Sequence, residues 1–364
     1  MSCTDNQNMQ EFLKCSLGGV SICVSAPSEL HEDLSAFQRR MAAFKEDMPI
    51  DLSMAILKSR PKKKYQGSES EKKITNNYIL DIVQNETLIK KRELLFKATQ
   101  QLKLLLLDPA MHDPLKLLVS HNGKLSFVPL EAGFLFVSLS TGEALLLLDE
   151  AWYMNGSFAT ASWEPFANIT AINAVMALLA IYLAERGDGL ITHGTGVSIQ
   201  DSGYLFLAPS GGGKTALSMH SPAGSVLADD GIIIRKSKND YWLYPTPLRQ
   251  RPGGEIKEWA WQQAPVTLQA VFILDKGSQT RIKSIPRPQA IGFLVNALTH
   301  FFMWMKPGQA TRVFDFWRRL GTIIPVAGLE WHLKSEFWPA IDDFIIKGKK
   351  YESSKKIPEL AGRI

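Results

Sequence analysis

Cysteine is scarce in this sequence, which has only Cys3, Cys15 and Cys23 among its 364 residues. Their number is odd and none belongs to a C-x-x-C pair, so we expect neither a disulfide framework nor a zinc site built from them. A reducing compartment suits this usage better than an oxidising one. The opening "MSCTDNQNMQEFLKC" lacks a basic start followed by an apolar core, which argues against a secretory signal. The sequence therefore predicts a cytoplasmic protein.

A large excess of charge of one sign is also missing. The formal net charge of +5 arises from 41 Lys and Arg residues against 36 Asp and Glu residues. Lysines are concentrated in residues 58–73 and 347–356, where they mix with Ser, Glu and Gly as in solvated linkers and tails. Both segments lack a pattern of interleaved aromatic residues or an amphipathic helix. We therefore expect no nucleic-acid partner and no membrane-surface partner.

Long apolar runs are absent as well. The two longest, residues 169–184 and 291–305, are shorter than the ~20 residues that a membrane span requires. Each of them also contains Asn and Thr. They are typical of buried helices in a soluble protein, so we expect no membrane-spanning segment.

A chain of this length accommodates two domains. We predict an N-terminal α+β lobe over residues 1–160 with a mobile basic loop near 58–75. A mixed α/β domain should follow over residues 161–346, and a charged tail over 347–364.

The residue pattern within these regions predicts several individual elements. In the lobe they are a strand in 17–25, a helix over 28–44 capped by Ser28, a helix within 76–107, and hairpins over 115–130 and 133–149 turning at Asn122-Gly123 and Thr141-Gly142. In the second domain they are a buried helix over roughly 169–185, two short strands before a glycine-rich loop, three after it, a buried strand over 268–275, and helices towards the end.

The glycine-rich loop "APSGGGKT", residues 208–215, matches the phosphate-loop pattern G-x-x-x-x-G-K-[ST] except at Ala208. Alanine is small enough at the end of a strand if its φ stays negative. Glycines let successive backbone N–H groups turn towards one phosphate cluster, the lysine neutralises phosphate charge, and the hydroxyl residue binds Mg²⁺. The predicted nucleotide-binding residues are Ser210, Gly211, Gly212, Gly213, Lys214 and Thr215. The alternative is a surface turn that matches by chance, which the preceding strand and following helix disfavour.

Two further groups of residues flank the loop in sequence. Asp229 and Asp230 end the run "SVLADD", and adjacent carboxylates repel each other unless a cation such as Mg²⁺ offsets their charge. An Asp-Asp-Gly turn is the plain structural alternative. His193 lies in "ITHGTGVSI", where Gly194 and Gly196 suggest a crowded backbone. A lone histidine is more often structural than functional.

Together these residues resemble the catalytic core of HPr serine kinase/phosphorylase and its relatives, a superfamily that includes ATP-dependent phosphoenolpyruvate carboxykinase. The segments "THGTGV", "APSGGGKT" and "VLADD" occur in the order of that core, and "WLYPTPLR" resembles its P-x-P segment. The resemblance implies a phosphoenolpyruvate carboxykinase-like P-loop kinase domain with an N-terminal α+β lobe. It also implies ATP and Mg²⁺ as cofactors.

By position, the resemblance assigns Lys214 to the phosphates, Thr215 and Asp230 to Mg²⁺, Asp229 to the role of general base, and His193 to orienting the transferred phosphoryl group. Phosphoryl transfer needs mainly positioning and charge neutralisation, so this set is chemically sufficient. Arg249 or Arg251 would be available to neutralise transition-state charge, and neither is assigned.

The expected activity is ATP-dependent transfer of a phosphoryl group to a hydroxyl, such as a serine of a peptide or protein, or to a small hydroxylated molecule. The E-I-R-G-x-G signature of HPr kinases is replaced by "RPGGEIKEWAWQQ". A nucleotide-binding scaffold or regulatory protein therefore stays open as an alternative, as does a carboxykinase-like enzyme. Because the HPr kinase branch includes hexamers, a homo-oligomer is a further expectation.

Overall fold

The chain has a mixed α/β structure, as the sequence predicts. A computed structural model describes residues 9–45, 48–58, 126–148, 163–222, 224–248, 264–298, 301–302, 305–332 and 336–355. The chain divides into two compact units. The first comprises Met1–Gly187 and His300–Arg312, and the second comprises Asp188–Thr299 and Val313–Ile364.

The first unit contains a six-stranded mixed sheet in the order β1-β2-β3-β6-β5-β4. Its strands are β1 (Met9–Leu17), β2 (Val20–Pro27), β3 (Leu52–Lys58), β4 (Ser126–Leu130), β5 (Gly133–Ser138) and β6 (Glu143–Leu148). The strands β2, β3 and β6 run parallel to one another, and the other pairs are antiparallel. Helix α2 (Trp163–Arg186) packs against β4, β5 and β6.

Helix α2 is apolar on nearly every side, which is typical of a helix that is buried all round. The predicted buried helix over 169–185 is therefore confirmed, although it is longer than the apolar run that suggested it. Among the described residues it is the one helix whose length and composition would allow it to cross a membrane. In its most apolar window, 78% of the residues are buried inside the protein, as in a core helix.

Helix α2 belongs to the first unit by its packing. The predicted boundary after residue 160 assigns the same helix to the second domain. The two divisions therefore differ over α2, and also over residues 300–312, which belong to the first unit but to the predicted second domain.

The predicted helix over 28–44 is much shorter in the structure. Only α1 (Ser35–Met41) is α-helical, and Ser28 is not its cap but the first residue of a 3₁₀ turn. The cap comes from another element, because the Phe37 N–H donates to Asn168 Oδ1 on α2 at 2.5 Å. A side chain distant in sequence thus satisfies a donor at the start of the helix, which begins seven residues after the predicted cap Ser28.

The hairpin predictions have mixed outcomes. The hairpin over 133–149 is confirmed as β5 and β6, with Gly142 at a φ of +72° in the turn. The strand predicted over 17–25 is instead the turn and second strand of a hairpin, because Gly18 and Gly19 both adopt positive φ. The loop predicted near 58–75 beyond Lys58, the helix within 76–107 and the Asn122-Gly123 turn lie outside the described residues.

The second unit contains a larger mixed sheet. Its strands are β7 (Gly189–Thr192), β8 (Thr195–Ile199), β9 (Ser202–Leu207), β10 (Val226–Ala228), β11 (Ile232–Ser237), β12 (Asp240–Tyr244), β13 (Val266–Lys276), β14 (Arg281–Ser284) and β15 (Val326–Trp331). The main order is β10-β8-β9-β13-β12-β11-β7, and β15 lies between β13 and β14. The strands predicted around the glycine loop and over 268–275 are thus confirmed.

The two ends of this strand order come together at one place. Strands β7 and β8 lie towards opposite ends of the order, yet only His193 and Gly194 join them. Residues 229–231 likewise join β10 to β11 across the same order. A connection of two or three residues spans only a short distance, so the strands that it joins must lie close together. The sheet must therefore curve until its two ends approach each other. Gly196 on β8 accommodates that approach, since a Cβ there would meet Ile232 Cδ1 on β11 at 2.6 Å.

The later helices are α3 (Lys214–His220), α4 (Arg287–Asn296), α5 (Pro307–Ile323) and α6 (Trp338–Lys355). The buried helix predicted from residues 291–305 is only partly formed, because α4 ends at Asn296. The Ala297 carbonyl beyond it accepts a hydrogen bond from Thr192 Oγ1 at 2.7 Å rather than from a further helical turn. Helix α6 continues into the predicted charged tail as far as Lys355.

Candidate functional site

The glycine loop joins β9 to α3, so the predicted strand–loop–helix arrangement is present. Gly211 has a φ of +72° and Gly213 a φ of +100°, values that L side chains rarely adopt. The Gly212 N–H donates to the Pro209 carbonyl at 3.0 Å and closes a tight turn. These conformations explain why the loop needs glycines.

Ala208 and Gly212 are in close contact across the loop. A Cβ on Gly212 would lie 2.6 Å from Ala208 Cβ and 2.9 Å from the Pro209 carbonyl oxygen. Among the described residues, the only non-glycines with positive φ are Gln200, Asp201 and Lys238, so Ala208 has a negative φ. Alanine therefore fits at this position, as the sequence predicts for a residue with negative φ.

Lys214 begins α3 and is 7% exposed. Its ammonium donates to the Ala208 carbonyl at 2.7 Å and to the Pro209 carbonyl at 3.2 Å, which uses two of its three N–H donors. Burial lowers the pKa of Lys214, and the nearby Asp230 carboxylate acts in the opposite direction. The lysine is thus held over its own loop, with a carboxylate close enough to influence its charge.

The curvature of the sheet brings the histidine and the acid pair together. His193 Nδ1 lies 3.2 Å from Asp230 Oδ1, and both side chains are partly exposed. The backbone of His193 is fixed by its N–H, which donates to the Ala297 carbonyl at 2.6 Å. Gly194 allows this path, because a Cβ there would lie 3.1 Å from the Phe206 carbonyl oxygen and closer still to two leucine side chains. The crowding suggested by the sequence is confirmed at both Gly194 and Gly196.

A cavity of about 320 Å³ lies between the loop and the acid pair. All the predicted site residues line it, together with Ala216: His193, Ser210, Gly211, Gly212, Gly213, Lys214, Thr215, Asp229 and Asp230. Asp229 is only 2% exposed, so its carboxylate faces little bulk water. Arg249 and Arg251 lie outside the described residues.

The donor atoms around this cavity suit a hard cation that also binds phosphate. Thr215 contributes a hydroxyl, and Asp229 and Asp230 contribute carboxylates; oxygen donors of this kind are the ligands of Mg²⁺. Within the described parts of the chain, no group of three or more His, Cys, Asp and Glu side chains is arranged to hold a metal ion.

Buried threonines near the cavity were not singled out in the sequence. Thr192, Thr195 and Thr246 are fully buried, and each hydroxyl donates to a main-chain carbonyl: Thr192 to Ala297, Thr195 to Asp229 and Thr246 to Gly231. All three lie in segments that resemble the HPr kinase core, Thr192 and Thr195 in "THGTGV" and Thr246 in "WLYPTPLR", but the resemblance assigns a role to none of them.

Comparison with known protein families identifies one that the chain matches. Residues 162–347, just over half of the chain, match the family described as SynChlorMet cassette protein ScmC. The chain belongs to the ScmC family. The ScmC match includes the glycine loop, the acid pair, His193 and every strand from β7 to β15. No curated protein matches the chain.

Proposed function

We propose that this ScmC-family protein is an ATP-dependent kinase of the HPr kinase-like type. Its second unit would then be a phosphoenolpyruvate carboxykinase-like P-loop domain. One observation carries the proposal: a glycine loop, a lysine, a threonine, two carboxylates and a histidine line the same cavity. A chance glycine turn has no reason to gather the other groups from distant parts of the sequence.

ATP would bind with its phosphates against residues 210–213, whose backbone N–H groups turn without side-chain obstruction. Lys214 would exchange its bonds to the Ala208 and Pro209 carbonyls for bonds to phosphate oxygens, which are stronger because both partners are charged. Thr215 and Asp230 would hold Mg²⁺, which supplies charge neutralisation at the phosphates.

Asp229 would accept the proton of the acceptor hydroxyl as the hydroxyl oxygen bonds to the γ-phosphorus. The bond from phosphorus to the bridging oxygen breaks, and ADP leaves with that electron pair. The low exposure of Asp229 limits competing water, which favours transfer over hydrolysis. His193 is oriented through its Nδ1 contact with Asp230, so its Nε2 is available to orient the transferred group.

The acceptor that we propose is a serine hydroxyl of a peptide or protein, or a small hydroxylated molecule. We also propose a cytoplasmic protein without nucleic-acid or membrane partners, as the modest charge and the cysteine usage suggest. A homo-oligomer is included in the proposal.

The test is incubation of the purified protein with Mg²⁺ and γ-labelled ATP, together with serine-containing peptides and small polyols. With the parent protein, label should pass to one of the acceptors. With the Lys214→Ala variant, label should pass to none of them. Tight ATP binding with neither transfer nor hydrolysis would instead identify a nucleotide-binding scaffold. Absence of ATP binding would refute the kinase proposal altogether.

A further inference from the structure

The acid pair lies in a three-residue connection that no strand ladder holds. On one side, Ala228 of β10 pairs with Gly196, and on the other, Ile232 of β11 pairs with Thr192. Residues 229–231 between them are outside both ladders. The orientation of the two carboxylates therefore depends on whatever else fixes this backbone.

Two threonine hydroxyls hold the connection at its ends. Thr195 Oγ1 on β8 lies 3.3 Å from the Asp229 carbonyl oxygen, a long hydrogen bond. At the other end, Thr246 Oγ1 donates to the Gly231 carbonyl. Both threonines are 0% exposed, so water does not compete for either carbonyl.

Thr246 also links the connection to a further part of the chain. Its hydroxyl also accepts a hydrogen bond from the Leu248 N–H at 3.2 Å, so one oxygen joins the Gly231 carbonyl to the chain after β12. Leu248 in turn packs over Gly231, where a Cβ would meet its Cδ1 at 2.4 Å. Pro245 and Pro247 flank Thr246, and their fixed φ angles stiffen the segment that carries the hydroxyl.

We propose that Thr246 is a positioning residue for the Asp229–Asp230 pair. Its hydroxyl would fix the connection so that both carboxylates face the cavity, with Asp230 placed to bind Mg²⁺ together with ATP. This inference rests on the proposed function. It extends that function to a residue that does not line the cavity and would act through the Gly231 carbonyl.

The chain offers a control that separates the positioning role from a role in stability alone. Thr170 on α2 is also 0% exposed, and its Oγ1 accepts a hydrogen bond from the Ala132 N–H at 3.1 Å in the first unit. Thr170→Val and Thr246→Val both replace a fully buried hydroxyl with a methyl group of similar size. A general loss of stability should appear in both variants, whereas a positioning effect should appear only at Thr246.

The experiment titrates the full chain with ATP by calorimetry, with and without Mg²⁺, in the parent, Thr246→Val, Thr246→Ser and Thr170→Val. In the parent, Mg²⁺ should tighten ATP binding. Thr246→Val should lose about 10- to 100-fold in the Mg²⁺-dependent affinity, as is usual when a group supporting a metal ligand is removed, while ATP binding without Mg²⁺ stays unchanged. Thr246→Ser, which keeps the hydroxyl, and Thr170→Val should behave like the parent.

Retention of the full Mg²⁺ effect by Thr246→Val would overturn the positioning role, and so would an equal loss in Thr170→Val. Should Thr246→Val fail to fold, the pair Thr246→Ala and Thr246→Ser makes the same comparison, because the two differ only in the hydroxyl. A parent that binds ATP without any Mg²⁺ effect would overturn the positioning role but leave nucleotide binding intact. A parent that binds no ATP would overturn the proposed function itself.

Discussion

Replacing Gly212 with alanine should destabilise the glycine loop and weaken ATP binding together. The new Cβ would lie 2.6 Å from Ala208 Cβ and 2.9 Å from the Pro209 carbonyl oxygen, both closer than normal contact. That carbonyl also accepts hydrogen bonds from the Gly212 N–H and from Lys214 Nζ. Relieving the clash must therefore move the backbone group that helps to hold the lysine.

The expected magnitude follows from this geometry. Overpacking at a rigid contact costs about 1–3 kcal/mol, because the neighbours here are a backbone carbonyl and a methyl group rather than a flexible side chain. Each kcal/mol lowers Tm by about 2–4 °C for a domain of about 150–250 residues. If the loop loses a comparable free energy of ATP binding, Kd rises by about 5- to 140-fold, since about 1.4 kcal/mol corresponds to a factor of ten.

The assay combines thermal unfolding with calorimetric ATP titration of Gly212→Ala. Gly292→Ala is the matched control, because a Cβ at Gly292 in α4 meets nothing within 4 Å and alanine favours helix. Gly211→Ala adds an intermediate case, in which space is open but the φ of +72° strains any side chain. If Gly212→Ala bound ATP and unfolded like the parent, the packing described for the loop would be wrong.

Three other predictions concern Asp229, Ala208 and the ion pairs of Glu330. Asp229→Asn should retain ATP binding, but its rate of phosphoryl transfer should fall by about 10²- to 10⁴-fold, because an amide cannot accept the proton. The rate is measured with labelled ATP, and transfer at the parent rate would exclude Asp229 as the base. Ala208→Gly should leave the Kd for ATP unchanged and lower stability by about 0.5–1 kcal/mol, since a negative φ gains nothing from glycine; tighter binding in the titration would contradict this. Lys283 and Arg281 lower the pKa of Glu330 below its usual 4.5. The stability that their ion pairs with Glu330 give the folded protein is therefore fully present above that pH, and it is lost as the pH falls through the lowered pKa. The Tm difference between the parent and Glu330→Gln should therefore be largest above about pH 6 and should shrink as the pH falls through the lowered pKa. A difference that stays constant on acidification would exclude the linkage.

The glycine loop was predictable because all its requirements lie in one short stretch. Small residues, a lysine and a hydroxyl residue between an apolar strand and a helix determine the turn locally, and Gly211 and Gly213 adopt the positive φ that only glycine tolerates easily. The approach of His193 to Asp230 depends instead on the order of strands and on the curvature of the sheet. Local patterning contains no information on strand order, and only Gly194 and Gly196 hinted at the close packing.

The helix over 28–44 and the role of Thr246 show where local reasoning fails. The start of α1 is set by Asn168, which is far away in sequence, so a nearby Ser28 looked like a better cap than it is. Thr246 resembles any turn threonine until the Gly231 carbonyl is found against its hydroxyl. In both cases the decisive partner becomes a neighbour only after the chain has folded.

Titration of the parent and of Lys214→Ala with ATP in the presence of Mg²⁺ tests the central claim most directly. Lys214 is the one lysine among the residues that line the described cavity, and alanine removes its charge without adding volume. The account predicts saturable binding to one site in the parent and loss of that binding in the variant, with both proteins folded. Equal ATP affinity in the two proteins, or no binding by the parent, would contradict it.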